Sequence, residues 1–171
     1  MFNSKEKAKV IDWKPRWSTG APCPQVFSNG LRTFLIYYIN VPDPNWDGTY
    51  VKGIDNKSNT VFPLALVEFI NGAAFRFGIV NDEAAAGHPL YNKGLHIYDA
   101  HIIENSTWIK ELKNIHKVHT KFDEKNWQDK KHFLLFFHDE ILEIIATDFI
   151  IETHESTFRD LAIEVAKRLN T

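Results

Sequence analysis

Polar and apolar positions follow two different rhythms along this chain, and the places where the rhythm changes divide it into elements. Residues 31–40 (LRTFLIYYIN) are dense in β-branched and aromatic side chains and read as a strand. The run VPDPNWDGT that follows carries two prolines and an Asp-Gly pair, which mark a loop, and a short strand is expected at 50–54. Two apolar runs come next, 64–70 and 73–79, separated by Asn71-Gly72. Asn-Gly between such runs is a strong signal for a two-residue hairpin, with positive φ at Gly72. That turn would place Ile70 opposite Ala73 and Glu68 opposite Phe75. Both faces of the expected hairpin are mainly apolar, with Glu68 the odd member of one and Arg76 the polar member of the other.

Residues 96–104 read as a further strand, followed by a helix over STWIKELKNIHKVHT that Asn105 or Ser106 is placed to cap. At about 100° per residue, Trp108, Ile109, Leu112, Ile115, His116 and His119 share one arc, so both histidines are expected to face inward. A short helical segment fits 123–130. Residues 132–137 and 141–151 read as a second hairpin turning at 138–140, with Glu143 on the face of Ile141, Ile145, Leu134 and Phe136. The last helix starts near Thr157, a good cap, and carries the stripe Phe158, Leu161, Ala162, Val165 and Leu169. Residues 1–30, with Pro15, Pro22, Pro24, Gly20 and Gly30, read as an irregular N-terminal arm pinned by Trp13 and Trp17.

These elements imply an α+β fold: a mostly antiparallel twisted sheet, sandwich-like or a half-open barrel, with two main helices packed on it. Strands and helices do not alternate regularly, which argues against a doubly wound parallel sheet. The 171 residues suit a single domain spanning 1–171. Thirteen Phe and five Trp supply large core pieces, so such a domain should fold without staples. The formal net charge is −2 and the basic residues are scattered, which weighs against a nucleic-acid or anionic-membrane partner. MFNSKEKAKV lacks the apolar stretch of a signal peptide, no apolar run reaches the length of a membrane span, and the default location is the cytoplasm. Cys23 stands alone between two prolines and reads as a turn residue rather than a nucleophile.

The chemistry on offer is carboxylates and histidines beside strands. Asn81, Asp82 and Glu83 open a polar loop; they either hold a cation or act as a general base, or Asn81 or Asp82 merely caps a helical turn over 84–86. Gly87-His88-Pro89 presents an imidazole that either ligates a metal, shuttles protons or bonds to backbone. His138-Asp139-Glu140 is either a functional turn or a solvated one. Glu68 and Glu143, carboxylates on apolar faces, must each find a partner, take a raised pKa or line a cavity open to water. The candidate catalytic residues are therefore Glu143, Glu68, His138 and His88, and the candidate ligand-binding residues Asp82, Glu83, Arg76 and Asp139. His116 and His119, three apart on a helix, could both reach one metal or simply pack against neighbours; they lack the neighbouring base of a metalloprotease helix, and no metal or cofactor is expected. A glycine-rich phosphate loop, a Gly-x-Ser-x-Gly elbow and paired Cys-x-x-Cys motifs are all missing from the sequence.

The segments NDEAAAGHPL (81–90) and HFLLFFHD (132–139), with WSTGAPCPQV near the start, resemble an uncharacterised family of small bacterial proteins. Glu140 follows His138-Asp139 where those proteins carry a small polar residue. The resemblance implies one folded domain and brings no activity with it. Two functions remain open on the residues alone. One is a soluble domain that binds a small molecule or a protein partner, an immunity factor for a toxin being one form. The other is a small hydrolase or isomerase with an inward-facing Glu as base and His assisting.

Overall fold

The computed structural model describes residues 5–42, 44–45, 47 and 59–171. Its elements are β1 (Lys7–Val10), β2 (Gln25–Ser28), β3 (Thr33–Tyr38), β4 (Phe62–Ile70), β5 (Ala74–Gly78), β6 (Ala100–Glu104), α1 (Thr107–His116), β7 (Lys131–Phe136), β8 (Ile141–Ala146), β9 (Asp148–Ser156) and α2 (Phe158–Arg168). Short 3-10 turns lie at Asp82–Gly87, Tyr91–Lys93 and Glu124–Trp127. The strands form two antiparallel sheets, neither closed into a barrel, which is an α+β fold. The strand expected at 50–54 lies outside the described residues. No helix among the described residues is long and apolar enough to cross a membrane.

The chain divides into two compact units. The first comprises Met1–Trp13 and Ile70–Asp148 and holds the five-stranded sheet, in the order β1-β6-β7-β8-β5. Its register pairs Phe136 with Ile141 and Leu134 with Glu143, so the second expected hairpin is present with Glu143 on the anticipated face, but its return strand, expected over 141–151, stops at Ala146, and Asp148–Ser156 belongs to the four-stranded sheet. One face of this sheet packs Ala8, Ile103, Leu134, Phe136 and Ile141 against Ala85, Leu90 and Leu95 from the loops before β6. Burying each large aliphatic side chain there is worth roughly 1.5–3 kcal/mol. Gly94 is fitted beneath β1: its φ is +89°, and a Cβ built on it would lie 2.4 Å from the Ala8 carbonyl oxygen.

The second unit comprises Lys14–Phe69 and Phe149–Thr171 and holds the four-stranded sheet, in the order β2-β3-β4-β9. α2 lays Phe158, Leu161 and Val165 on Phe34, Ile36 and Tyr38 of β3 and Leu64 and Leu66 of β4. Thr157 caps it as expected, its hydroxyl accepting the Asp160 N–H at 3.1 Å.

Four expectations are corrected. Runs 64–70 and 73–79 are both strands, but they do not pair as a hairpin. β4 pairs with β3 in one sheet and β5 with β8 in the other. The left-handed residue between them is Asn71, at φ 51°. Asn-Gly here ends one strand and starts another that finds its partner elsewhere, because Phe75 and Phe77 gain more by register with Ile144 and Leu142 than a local turn offers. The arm at 1–30 is not wholly irregular: β1 pairs with β6 and β2 with β3. Trp13 and Trp17 are buried, as anticipated. Finally, α1 is shorter than its periodic pattern. It ends at His116, only Trp108 is buried along it, and His116 and His119 are both exposed.

Candidate functional site

The first unit gathers its polar side chains on the face of the sheet that also holds Leu134 and Phe136. Glu143 stands on β8 opposite Leu134, and Arg76 on β5 stands opposite Glu143. His132, one pleat along β7 from Leu134, points to the same face. Its Nε2 lies 2.9 Å from Glu143 Oε2 and its Nδ1 lies 2.9 Å from Ser106 Oγ. Ser106 is brought there by a sharp turn: Asn105, at φ 58°, ends β6 and starts α1, leaving Ser106 as the cap of the helix. Its Oγ also accepts the Ile109 N–H at 3.1 Å.

The carboxylate can only accept, so His132 Nε2–H donates to Glu143, and Ser106 Oγ, which carries one hydrogen and two lone pairs, completes the bonding of the ring at Nδ1. Trp108 lies edge-on to the His132 ring at 5.2 Å, and the Arg76 guanidinium lies 4.0 Å over the Trp108 ring. His132 is 3% exposed, whereas Glu143 is 18% exposed. The relay thus runs from a buried helix cap to a carboxylate at the surface of the sheet. Among the described residues the second oxygen of Glu143 has no hydrogen-bond partner, and Glu143 lines a cleft of about 320 Å³ with Arg76, Phe77, Gly78, Ile79, Val80, His88 and Ile141.

Two opposing influences set the charge of Glu143. Burial, the largest, pushes its carboxyl up; the His132 hydrogen bond and charge, with Arg76 and His88, outweigh it and hold the carboxyl below its ordinary value. His88 shares the cleft and is depressed, chiefly by burial. Its Nδ1 accepts the Leu90 N–H at 3.2 Å, which leaves Nε2–H as the donor of a neutral ring. The cleft therefore offers one anionic acceptor, one neutral donor and one cation.

Serine, histidine and glutamate in series invite comparison with a nucleophilic triad. Here the accessible end is the carboxylate, while Ser106 is 4% exposed and committed to the helix. We expect a fluorophosphonate probe to leave Ser106 unlabelled on intact-mass analysis, and Ser106→Ala to destabilise the protein by about 1–2 kcal/mol through the lost cap. Stoichiometric labelling at Ser106 would reverse the assignment.

Of the residues singled out in the sequence, Glu143, His88 and Arg76 come together in this cleft. Asp82, His138 and Asp139 lie in a second cluster of the same unit. Asp82 accepts a short hydrogen bond from the Tyr98 hydroxyl, which holds its carboxyl down and pushes the phenol up to about 12. His138 Nδ1 lies 2.9 Å from Asp139 Oδ1, and that contact raises the imidazole. Asp82 and Glu83 line a larger open cavity of about 600 Å³ with His96, Ile97 and Asp99. Despite its size it is the weaker candidate, since Asp82 is taken by Tyr98 while no buried group supports Glu83, which is exposed. Asn81 caps the 3-10 turn, its side chain accepting the Ala84 N–H at 3.0 Å. Glu68 belongs to the second unit, where Arg32 Nε lies 2.8 Å from its Oε1. No group of three or more His, Cys, Asp or Glu among the described residues is arranged to hold a metal ion.

His132, Ser106 and Tyr98 were not among the sequence candidates. His132 was within reach: in the hairpin register, it and Glu143 are diagonal neighbours on one face. Ser106 was legible as a cap but not as a donor to a strand 26 residues away. Compared with known protein families, curated proteins and solved structures, the chain matches none.

Proposed function

We propose that the first unit is a binding module for a small molecule carrying a protonated amine beside oxygen acceptors, of the free amino-acid class. The observation that carries this is Glu143: it lines the cleft with one oxygen tied to a buried, hydrogen-bonded histidine and the other without a hydrogen-bond partner among the described residues. An ammonium group meets that oxygen, and a ligand carboxylate meets His88 Nε2–H and the Arg76 guanidinium. The cleft volume sits at the small end of ligand sites, which run from about 300 to 1,000 Å³. Binding is favoured over proton transfer because a carboxylate held below its ordinary pKa accepts protons poorly at neutral pH. A hydrolase or isomerase base would instead be pushed up.

Isothermal titration with free amino acids, simple alkylamines and the matching deaminated acids tests this reading. Amino acids are expected to bind, with the amine required, and Glu143→Gln is expected to lower affinity about tenfold or more. Equal affinity for the deaminated acids, or for Glu143→Gln, would overturn it.

A further inference from the structure

The outer edge of β5 is unlike the other features of the first unit. Among the described residues β5 ends the five-strand order, with β8 as its one neighbour in the sheet. Alternate backbone N–H and C=O groups along a terminal strand point away from the sheet and offer a template for another strand. Proteins usually guard such an edge with proline, lysine or a covering segment; β5 reads Ala-Phe-Arg-Phe-Gly, with Arg76 as its only charge. Phe75 and Phe77 share one face and are 41% and 39% exposed, and Ile79, just beyond the strand, is 91% exposed. A Cβ at Gly78 would meet nothing within 4 Å, so space is open at that end. Apolar groups of this size held at a strand's period, on the strand that ends the sheet order, mark an interaction surface rather than scattered exposure.

The charge in the middle of the strand selects the occupant. Arg76 is pinned by the Trp108 ring and projects from the face opposite Phe75 and Phe77. A strand added to this edge places one residue directly beside Arg76, and the pairing favours a carboxylate there. The residues flanking that one lie beside Phe75 and Phe77 and favour apolar side chains. A second copy of this chain fits poorly: antiparallel pairing of two β5 edges about their midpoint sets Arg76 against Arg76.

We propose that β5 is a strand-addition site for an extended protein segment in which an acidic residue is flanked by apolar ones. The partner's backbone completes the ladder, its acidic side chain pairs with Arg76, and its apolar side chains cover Phe75, Phe77 and Ile79. This surface shares Arg76, Phe77 and Ile79 with the Glu143 cleft, so a ligand carboxylate and the partner's acidic residue compete for one guanidinium, and the peptide is tested with no amine ligand present.

The test is fluorescence anisotropy with a labelled, end-blocked heptapeptide, Val-Thr-Val-Glu-Val-Thr-Val, and its counterpart with Lys at the centre. The Glu-centred peptide is expected to bind more tightly by about tenfold at low salt, with the preference narrowing as salt rises. Arg76→Glu is expected to invert that preference. A Glu-centred peptide N-methylated at alternate residues is expected to lose binding to the unaltered protein, since it cannot complete the ladder. That arm holds even where the Arg76 variant folds poorly. Equal binding of the two central residues, undiminished binding of the N-methylated peptide, or a concentration-dependent dimer abolished by Phe77→Lys would each overturn the proposal.

Discussion

Gly94→Ala is expected to destabilise the first unit by about 3 kcal/mol or more. Two costs coincide at this position. The residue sits at φ +89°, where an L side chain is strained by about 1–2 kcal/mol. Its new Cβ would also lie 2.4 Å from the Ala8 carbonyl oxygen, which is backbone and not a side-chain tip that can rotate away. Ala8 is held by β1 pairing with β6, where it stands opposite Ile103. Relief requires β1 to leave the edge of its sheet or the loop carrying Leu90 and Leu95 to lift from the core they share with Ala8. Gly87→Ala is the control: a Cβ there meets nothing within 4 Å, and its midpoint should move by less than about 0.5 kcal/mol. Urea denaturation of the two variants beside the parent measures this. A Gly94→Ala midpoint equal to that of Gly87→Ala would mean that β1 is not fixed as described.

The comparison between sequence and structure turns on the range of the interactions. Elements whose signals are local were legible: the Thr157 cap, the α2 stripe, the 138–140 turn and the face of Glu143 all follow from spacing within a few residues. Asn71-Gly72 misled because a turn signal says that the chain bends and not which strand pairs with which. β4 and β5 each find a better partner far along the chain. The 1–30 segment misled for the same reason: its four-residue strands are too short to show a period and exist only because β6 and β3 offer edges. The inward histidines of α1 followed from extending a helical period past the point where the helix stops. In the site, Glu143, His88 and Arg76 were recognisable as residues out of place on apolar or turn segments. The Ser106–His132 support behind Glu143 was not, since it joins a helix cap to a strand across a core that only the folded chain defines.

Glu143→Gln is expected to lower stability at neutral pH by about 1–2 kcal/mol, with a pH dependence that identifies the cause. Glutamine keeps an oxygen to accept the His132 N–H, so the geometry can persist while the charge is lost. Removing the charge also removes its desolvation, the influence that pushes the carboxyl up, but in the folded protein the bond to His132 and the charges of His132, Arg76 and His88 prevail. The folded carboxyl therefore lies below its ordinary 4.5, and the stability it contributes is present above that value and drains away as pH falls through the lower folded one. His88 and His101, both depressed below 6.5 mainly by burial, act in a separate and higher window: their neutral rings favour the fold above 6.5 and cost stability as pH falls beneath it. Both proteins should thus weaken as pH falls beneath 6.5, the Gln variant more steeply, because it lacks the Glu143 charge that raises the His88 imidazole. As pH falls below 4.5 and through the lower folded value, the parent should lose its advantage and the two should converge. Denaturant midpoints taken across this range give the difference directly, which cancels the contributions of Glu152, Asp82 and the other shared carboxylates. A difference that stays constant down to about pH 3 would show that the substitution acts through packing rather than charge. A Gln variant more stable than the parent at pH 7 would show a carboxylate strained for function rather than anchored by the Ser106–His132 relay, and would move the first unit from the binding reading to the catalytic one.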